Sequence, residues 1–147
     1  MKRHLLVAAA VLSSLASTAF ALEFRSVKET GVALYEAPTL TAKKLFVVSR
    51  YYPVEVLSTQ KDWSRVRDAT GGIAWIPGAA LSSRRTLLVV ADRLPVRAAA
   101  DDKAGVVFWA EKDLVLDMAD APQSSWVKVK HRDGTTGYAK IGGLWGL

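Results

Sequence analysis

Hydrophobic and polar residues alternate along most of this chain, and the alternation predicts short β-strands rather than helices. Val54-Glu55-Val56 alternates in this way, and so does the run from Trp63 to Arg67. Strict alternation is typical of a strand with one buried face. Turn residues separate such runs, as in Thr70-Gly71-Gly72 and His131-Arg132-Asp133-Gly134. The pattern therefore predicts an all-β protein.

The alternating runs occur twice, about 63 positions apart, and a repeat of this length matches a complete small domain. The matched pairs are Trp63 with Trp126, Arg65 with Lys128, Val66 with Val129, Arg67 with Lys130, Gly71 with Gly134, and Trp75 with Tyr138. Short strands at this density indicate a small barrel or sandwich. We expect one domain over residues 22–83 and a second over residues 84–147.

The first 21 residues are typical of a cleaved signal peptide. Lys2, Arg3 and His4 precede an apolar run over residues 5–15, and Ala19-Phe20-Ala21 supplies a cleavage site. The apolar run is too short to cross a bilayer. A retained N-terminal anchor is the alternative. We expect cleavage after Ala21, which gives a periplasmic or secreted protein without an integral membrane segment.

Composition limits how the two domains are stabilised and what they bind. The chain has no cysteine, so core packing, backbone pairing or packing against the twin domain must replace disulfides. Without Lys2 and Arg3, 18 basic residues remain against 14 acidic ones. This excess fits a weak preference for anionic polymers. Nucleic acid would require a stronger basic stripe, so we expect no nucleic-acid partner.

The residues give little support for catalysis. Without cysteine there is no thiolate nucleophile, and after residue 21 the only histidine is His131, in a predicted turn. A metal site requires several converging ligands. Asp101-Asp102 and residues 117–120 fall in predicted loops, without the burial that raises a carboxyl pKa. We expect a protein that is not an enzyme, with no catalytic residue, no metal and no cofactor.

Aromatic and basic side chains share one face of the predicted strands. Because alternate residues face opposite sides of a strand, Val66 and Val129 should point inward, and Trp63 and Trp126 outward. The basic residues Arg65, Arg67, Lys128 and Lys130 lie on the outward face. An indole beside such groups can stack on a sugar or pack a peptide, while the basic group pairs with a carboxylate. Alternatively, each tryptophan is a lid on its barrel, and the basic residues only solvate the sheet.

Further aromatic and basic positions complete the sequence-based predictions. Trp75 and Tyr138 are expected in the cross-strand cores, and Trp145 is expected to dock against a domain. The Arg84-Arg85 linker is interpreted as solvated or, alternatively, as an anion-binding hinge. Its shortness indicates a fixed domain orientation. The predicted ligand-binding residues are Trp63, Arg65, Arg67, Tyr35, Tyr51, Tyr52, Trp126 and Lys128.

Each half of the chain resembles a bacterial SH3 domain, and the resemblance covers nearly all of the chain after residue 21. Leu94-Pro95-Val96-Arg97 matches the opening of that pattern well, and Val32-Ala33-Leu34-Tyr35 matches it more loosely. The stretch from Pro53 through Asp62–Asp68 to Trp75 is specific, and resembles exported tandem SH3-like proteins of proteobacteria. Ala74 departs from the usual glycine.

The resemblance implies two tandem SH3-like β-barrels and a ligand in the cell wall. The first hypothesis is a non-enzymatic binding module of the bacterial envelope that recognises peptidoglycan, either its glycan or its stem peptide. The alternative is a periplasmic adaptor that binds an extended peptide of an envelope protein. Ala33-Leu34-Tyr35-Glu36 is similar to the aromatic motif that lines the groove of eukaryotic SH3 domains. A monomer is favoured.

Overall fold

The computed structural model describes residues 21–147, which form two seven-stranded antiparallel sheets. The predicted signal peptide, residues 1–21, lies outside the described residues except for Ala21. Between residues 21 and 147, no helix is long and apolar enough to span a membrane. Almost every element is a strand, and this confirms the all-β prediction.

The two sheets contain seven strands each, and each ends in one 3₁₀ turn followed by a two-residue strand. The first sheet contains β1 (Phe24–Val27), β2 (Val32–Tyr35), β3 (Lys44–Val48), β4 (Pro53–Gln60), β5 (Trp63–Arg67), β6 (Ile73–Pro77), the turn Gly78–Ala80 and β7 (Leu81–Ser82). The second contains β8 (Thr86–Val89), β9 (Arg93–Arg97), β10 (Val106–Glu111), β11 (Val115–Met118), β12 (Trp126–Lys130), β13 (Thr136–Lys140), the turn Ile141–Gly143 and β14 (Leu144–Trp145).

The repeat seen in the sequence is also a repeat of topology. The strand orders are β3-β2-β6-β5-β4-β1-β7 and β10-β9-β13-β12-β11-β8-β14, so each strand has a counterpart seven strands later. Positive φ angles recur at matched positions: Tyr51 (70°) and Asp113 (70°), Lys61 (51°) and Ser124 (53°), and Gly71 (89°) and Gly134 (92°). The two halves therefore share their strand order and these three turns.

Each barrel has its own hydrophobic core, built from the inward positions of the alternating strands. In β5, Ser64 and Val66 are buried while Arg65 is exposed, as the alternation predicts. The first core contains Val27, Leu34, Val54, Val66, Ala74 and Ile76. The second contains Leu87, Val89, Leu94, Val96, Ala110, Leu116, Val127, Val129, Ala139 and Leu144.

The expectation that Trp75 and Tyr138 belong to these cores is wrong. Ala74 and Ile76 occupy the inward positions of β6, so Trp75 between them faces outward. In β13, Ala139 is in the core and its neighbour Tyr138 is half-buried on the other face. The period of two places both rings on the outer side of the sheet.

Strand β8 lies between the two barrels, and all four of its residues are buried. Leu87 and Val89 enter the second core, while the Thr86 hydroxyl donates to the Tyr51 carbonyl of the first barrel at 2.6 Å. The indole of Trp145 meets the Phe24 ring edge-on, with ring centres 5.2 Å apart. Trp145 therefore docks against the first barrel, as the sequence predicts.

Gly146 is required where the chain end passes between the barrels. Its φ is +118°, and a Cβ atom there would lie 2.6 Å from the Thr86 carbonyl oxygen. The same atom would lie 3.4 Å from Pro53 Cβ of the first barrel. Arg85 Nη2 donates to the Gly146 carbonyl at 2.7 Å. Only glycine combines this dihedral angle with this close approach.

The linker residue Arg84 is exposed, as the solvated interpretation expects, but it also makes specific contacts. Arg84 donates from Nε and Nη2 to the two carboxylate oxygens of Asp117, at 2.8 and 2.7 Å. Its guanidinium carbon also lies 4.1 Å from the centre of the Tyr51 ring. One linker residue thus contacts both barrels. These contacts support the expected fixed orientation.

Removing core volume from the second barrel should strongly destabilise the protein. Leu116 is 1% exposed, and Leu116→Ala should lower the free energy of unfolding by about 2–5 kcal/mol because it leaves a cavity. Leu40 is 70% exposed, so Leu40→Ala should change it by less than about 0.5 kcal/mol. Urea titration followed by circular dichroism measures both. Equal effects would contradict this assignment of the core.

The Phe24–Trp145 contact should couple the barrels energetically. In a double-mutant cycle with Phe24→Leu and Trp145→Leu, we expect a coupling energy of about 0.5–1.5 kcal/mol, since edge-on ring pairs contribute this much beyond area burial. Urea unfolding of the four proteins measures it. If the effects of the two single substitutions sum to the effect of the double substitution within about 0.3 kcal/mol, the rings do not interact.

Candidate functional site

The first aromatic face consists of Trp63, Arg65 and Trp75 on the outer side of the first barrel, together with Tyr35, which is only 8% exposed. Tyr35 lies opposite Trp75 on neighbouring strands, and Trp75 lies opposite Arg65. The Tyr35 ring meets Trp63 edge-on, with centres 5.3 Å apart. The fold therefore brings together three of the predicted residues. Trp75 was missed, although the alternation Ala74-Trp75-Ile76 carried the signal.

Arg67, also a predicted ligand-binding residue, already has an ion-pair partner on its own barrel. Its Nη1 atom donates to Glu55 Oε2 at 2.8 Å, and the Glu55 side chain is only 7% exposed. The two residues are cross-strand neighbours in β4 and β5. A buried carboxylate that lost this partner would be strongly destabilising. Arg67 thus links β4 and β5 beside the aromatic face.

The second aromatic face, Trp126, Lys128 and Tyr138, occupies the matching place on the second barrel. Here Arg97 stands opposite Tyr138, where the first barrel has Tyr35 opposite Trp75. Arg97 Nη1 donates to the Ala104 carbonyl at 2.8 Å. A hollow of about 170 Å³ lies at this face, and all three residues line it. The two faces therefore lie on matching backbone positions but differ in their side chains and in shape.

The predicted residues Tyr51 and Tyr52 lie near the junction of the barrels. Tyr51 has a left-handed backbone, and its ring is contacted by the guanidinium groups of Arg50 and Arg84, at 4.7 and 4.1 Å. Tyr52 packs against the first core, and its hydroxyl accepts from the Ala69 N–H at 3.3 Å. Burial raises the Tyr52 pKa above its usual value of 10.0.

A cleft of about 650 Å³, here called the junction cleft, opens between the two barrels. The first barrel contributes Thr30 and Ser49–Tyr51, and the linker contributes Arg84. The second barrel contributes residues 113–115 and 130–132, with Asp117 and Gly134. No member of either aromatic face lines this cleft. It is therefore a separate cavity formed by both barrels and the linker.

Three residues of the turn before β13 line one wall of the junction cleft: His131, Arg132 and Gly134. The Thr135 N–H donates to Asp133 Oδ1 at 2.8 Å, and His131 Nδ1 lies 3.1 Å from the same oxygen. The Thr135 backbone bond first, then the Thr135 and His131 side chains, lower the pKa of Asp133 to about 2. In residues 21–147, no group of three or more histidine, aspartate or glutamate side chains is placed to hold a metal.

Asp133 should titrate at an unusually low pH. Its bonds favour the ionised form in the folded protein, so their contribution to stability is complete above the ordinary pKa of 3.8 and is lost as pH falls through about 2. Carboxyl ¹³C NMR titration measures this pKa. Thr135→Val should raise it partway, since the backbone bond remains. A midpoint near 3.8 in the parent protein would contradict the turn geometry.

Comparison with known protein families identifies the two barrels. Residues 30–82 match a family described as "Bacterial SH3 domain", and residues 90–146 match a second family of the same description. The chain carries two bacterial SH3 domains in tandem. This confirms the resemblance seen in both halves of the sequence. Bacterial SH3 domains are typically binding modules.

Solved structures give more distant matches. NlpC2 from Trichomonas vaginalis is 15% identical, with a TM-score of 0.38, over 85% of this chain and 48% of that one. NlpC1 from the same organism is 16% identical, with a TM-score of 0.39, over 93% of this chain and 50% of that one. The chain thus spans about half the length of these proteins. No curated protein matches the chain.

Proposed function

We propose that this protein is a non-enzymatic, exported binding module of the bacterial cell envelope, and that its aromatic faces recognise peptidoglycan. The observation that carries the proposal is the cluster of Tyr35, Trp63 and Trp75 beside Arg65 on one sheet face. Bacterial SH3 domains commonly bind cell-wall components, which supports this ligand class.

The first aromatic face is suited to a ligand that combines a sugar or peptide with a carboxylate. Tyr35 holds Trp63 edge-on, so the indole is ordered before binding and loses little conformational entropy. Arg65 is exposed, and within residues 21–147 it forms no ion pair. Its guanidinium group can accept a carboxylate in a bidentate arrangement. A stem peptide offers such carboxylates beside the glycan.

The second aromatic face supports the same proposal with a different shape. Its hollow of about 170 Å³ lies beside Trp126 and Tyr138, with Lys128 as the basic group. Two such faces in one chain can engage a repetitive polymer at two points. Binding at the second point is then intramolecular, which raises the overall affinity above that of either face.

An envelope protein is the second candidate ligand, and one feature of the first barrel favours it. Strand β3 ends the strand order of its sheet, and it exposes 53% of Phe46 and 66% of Val47. Such an edge can accept an extended peptide as an additional strand. The adaptor function would use this edge rather than the aromatic faces.

Co-sedimentation with purified peptidoglycan sacculi at low salt tests the proposal. We expect the mature protein, Leu22–Leu147, to pellet with the sacculi. Trp63→Ala and Arg65→Ala should each weaken binding by about tenfold, which corresponds to ~1.4 kcal/mol. Arg65→Ala tests binding separately from folding, because the exposed Arg65 side chain can be removed with little effect on the fold.

Trp109→Ala is the matched control for the loss of an indole. Trp109 is 46% exposed and lies on β10, outside both aromatic faces, so this variant should pellet like the parent. Circular dichroism confirms that each variant is folded. If the parent stays in the supernatant at low salt, peptidoglycan is excluded, and strand addition at β3 becomes the leading function.

A further inference from the structure

The junction cleft carries an excess of positive charge that the fold leaves without acidic partners. Arg50, Lys130 and Arg132 line it and are exposed, and within residues 21–147 none of them forms an ion pair. Of its two carboxylates, Asp117 is paired with Arg84. Asp113 is the remaining negative charge. Three cations without an ion pair thus face one unpaired carboxylate, and one of them, Arg50, also contacts the Tyr51 ring.

The repeat explains why Lys130 is free. In the first barrel, Glu55 lies opposite Arg67 and pairs with it at 2.8 Å. The matching cross-strand pair in the second barrel is Asp117 and Lys130. There, however, Arg84 of the linker takes both carboxylate oxygens of Asp117. The linker therefore neutralises the acid and leaves the lysine available to a ligand.

The basic surface continues past the cleft along the linker. A second, shallower depression of about 490 Å³ is lined by Arg84, Arg85 and Lys130, together with Asp117 and its neighbours. Arg84, Asp117 and Lys130 line both cavities. The positive surface is therefore longer than a single small anion requires, and it fits a ligand with more than one anionic group.

We propose that the junction cleft is a second binding site, separate from the aromatic faces, that takes a ligand bearing phosphate groups. A phosphate carries up to two charges and several acceptor oxygens, so Lys130, Arg132 and Arg50 can bind it together, whereas a carboxylate carries one charge. The Ser49 and Thr30 hydroxyls at the cleft can donate further hydrogen bonds. The cleft volume lies within the usual range of small-molecule sites.

Pyrophosphate titration of the full mature chain, followed by NMR, tests this site. Lys130→Gln and Arg132→Gln should each weaken binding by about three- to tenfold. Asp113→Asn should strengthen it by about two- to fivefold because it removes the free carboxylate. Asparagine tolerates the left-handed backbone at this position (φ 70°), so the fold should be kept. A gain of affinity cannot come from unfolding.

Two controls separate this site from other effects. Lys103→Gln removes an exposed lysine that does not line the cleft, and it should leave the affinity unchanged. Trp63→Ala should also leave it unchanged, so the outcome is independent of the sacculus experiment. No pyrophosphate binding, an equal loss in Lys103→Gln, unchanged affinity in Asp113→Asn, or tighter binding of the dicarboxylate succinate would each overturn the proposal.

Vesicles identify the source of the phosphate. The probes are vesicles of phosphatidylglycerol and phosphatidylcholine, compared with vesicles of phosphatidylcholine alone. Binding to the anionic vesicles that Lys130→Gln weakens would support the site with a lipid headgroup as its ligand. Binding of pyrophosphate without binding to vesicles would support the site with a soluble phosphate ligand. Vesicle binding that no cleft variant alters would overturn the headgroup assignment.

Discussion

The burial of β8 on both of its faces is the constraint on which the arrangement of the two barrels depends. Leu87 and Val89 fill the second core, while Thr86 bonds to the backbone of the first barrel. A barrel of this size, without disulfides, buries too little surface to be very stable alone. The burial of β8 between the barrels offsets this low stability. Arg85 Nε and Trp145 Nε1 are buried at this junction without hydrogen-bond partners among residues 21–147.

Once β8 fixes the barrels, small differences between the repeats determine what each surface can bind. Tyr35 covers Trp63 in the first barrel, but Arg97 takes the matching position in the second and bonds to its own loop. Tyr138 therefore borders a hollow, whereas Trp75 has an aromatic neighbour. The same backbone thus presents two different outer faces. Divergence of this kind needs only a few side chains because the strand order is already identical.

Local patterns in the sequence predicted most of the fold, and long-range contacts account for what they missed. The alternation around Val66 placed it inward correctly, and the spacing of the repeat anticipated two sheets of one topology. Trp75 was expected in the core, although the period of two in Ala74-Trp75-Ile76 places it on the outer face. The pairing of Arg84 with Asp117 spans 33 positions, and no local pattern encodes it. The binding roles of the aromatic residues are still predictions.

The linker arginine shows how a tandem can acquire a property that neither domain has alone. A single surface ion pair contributes little to stability. The main effect of the bidentate contact between Arg84 and Asp117 is therefore that it leaves the Lys130 ammonium group without an ion pair. By holding the carboxylate, Arg84 separates Lys130 from its cross-strand partner and turns a self-neutralised strand pair into an unbalanced one. Each aromatic face belongs to one barrel, but this imbalance arises only where the linker and both barrels meet. Duplication thus supplied two similar faces, and the connection between them supplied a third surface of different chemistry.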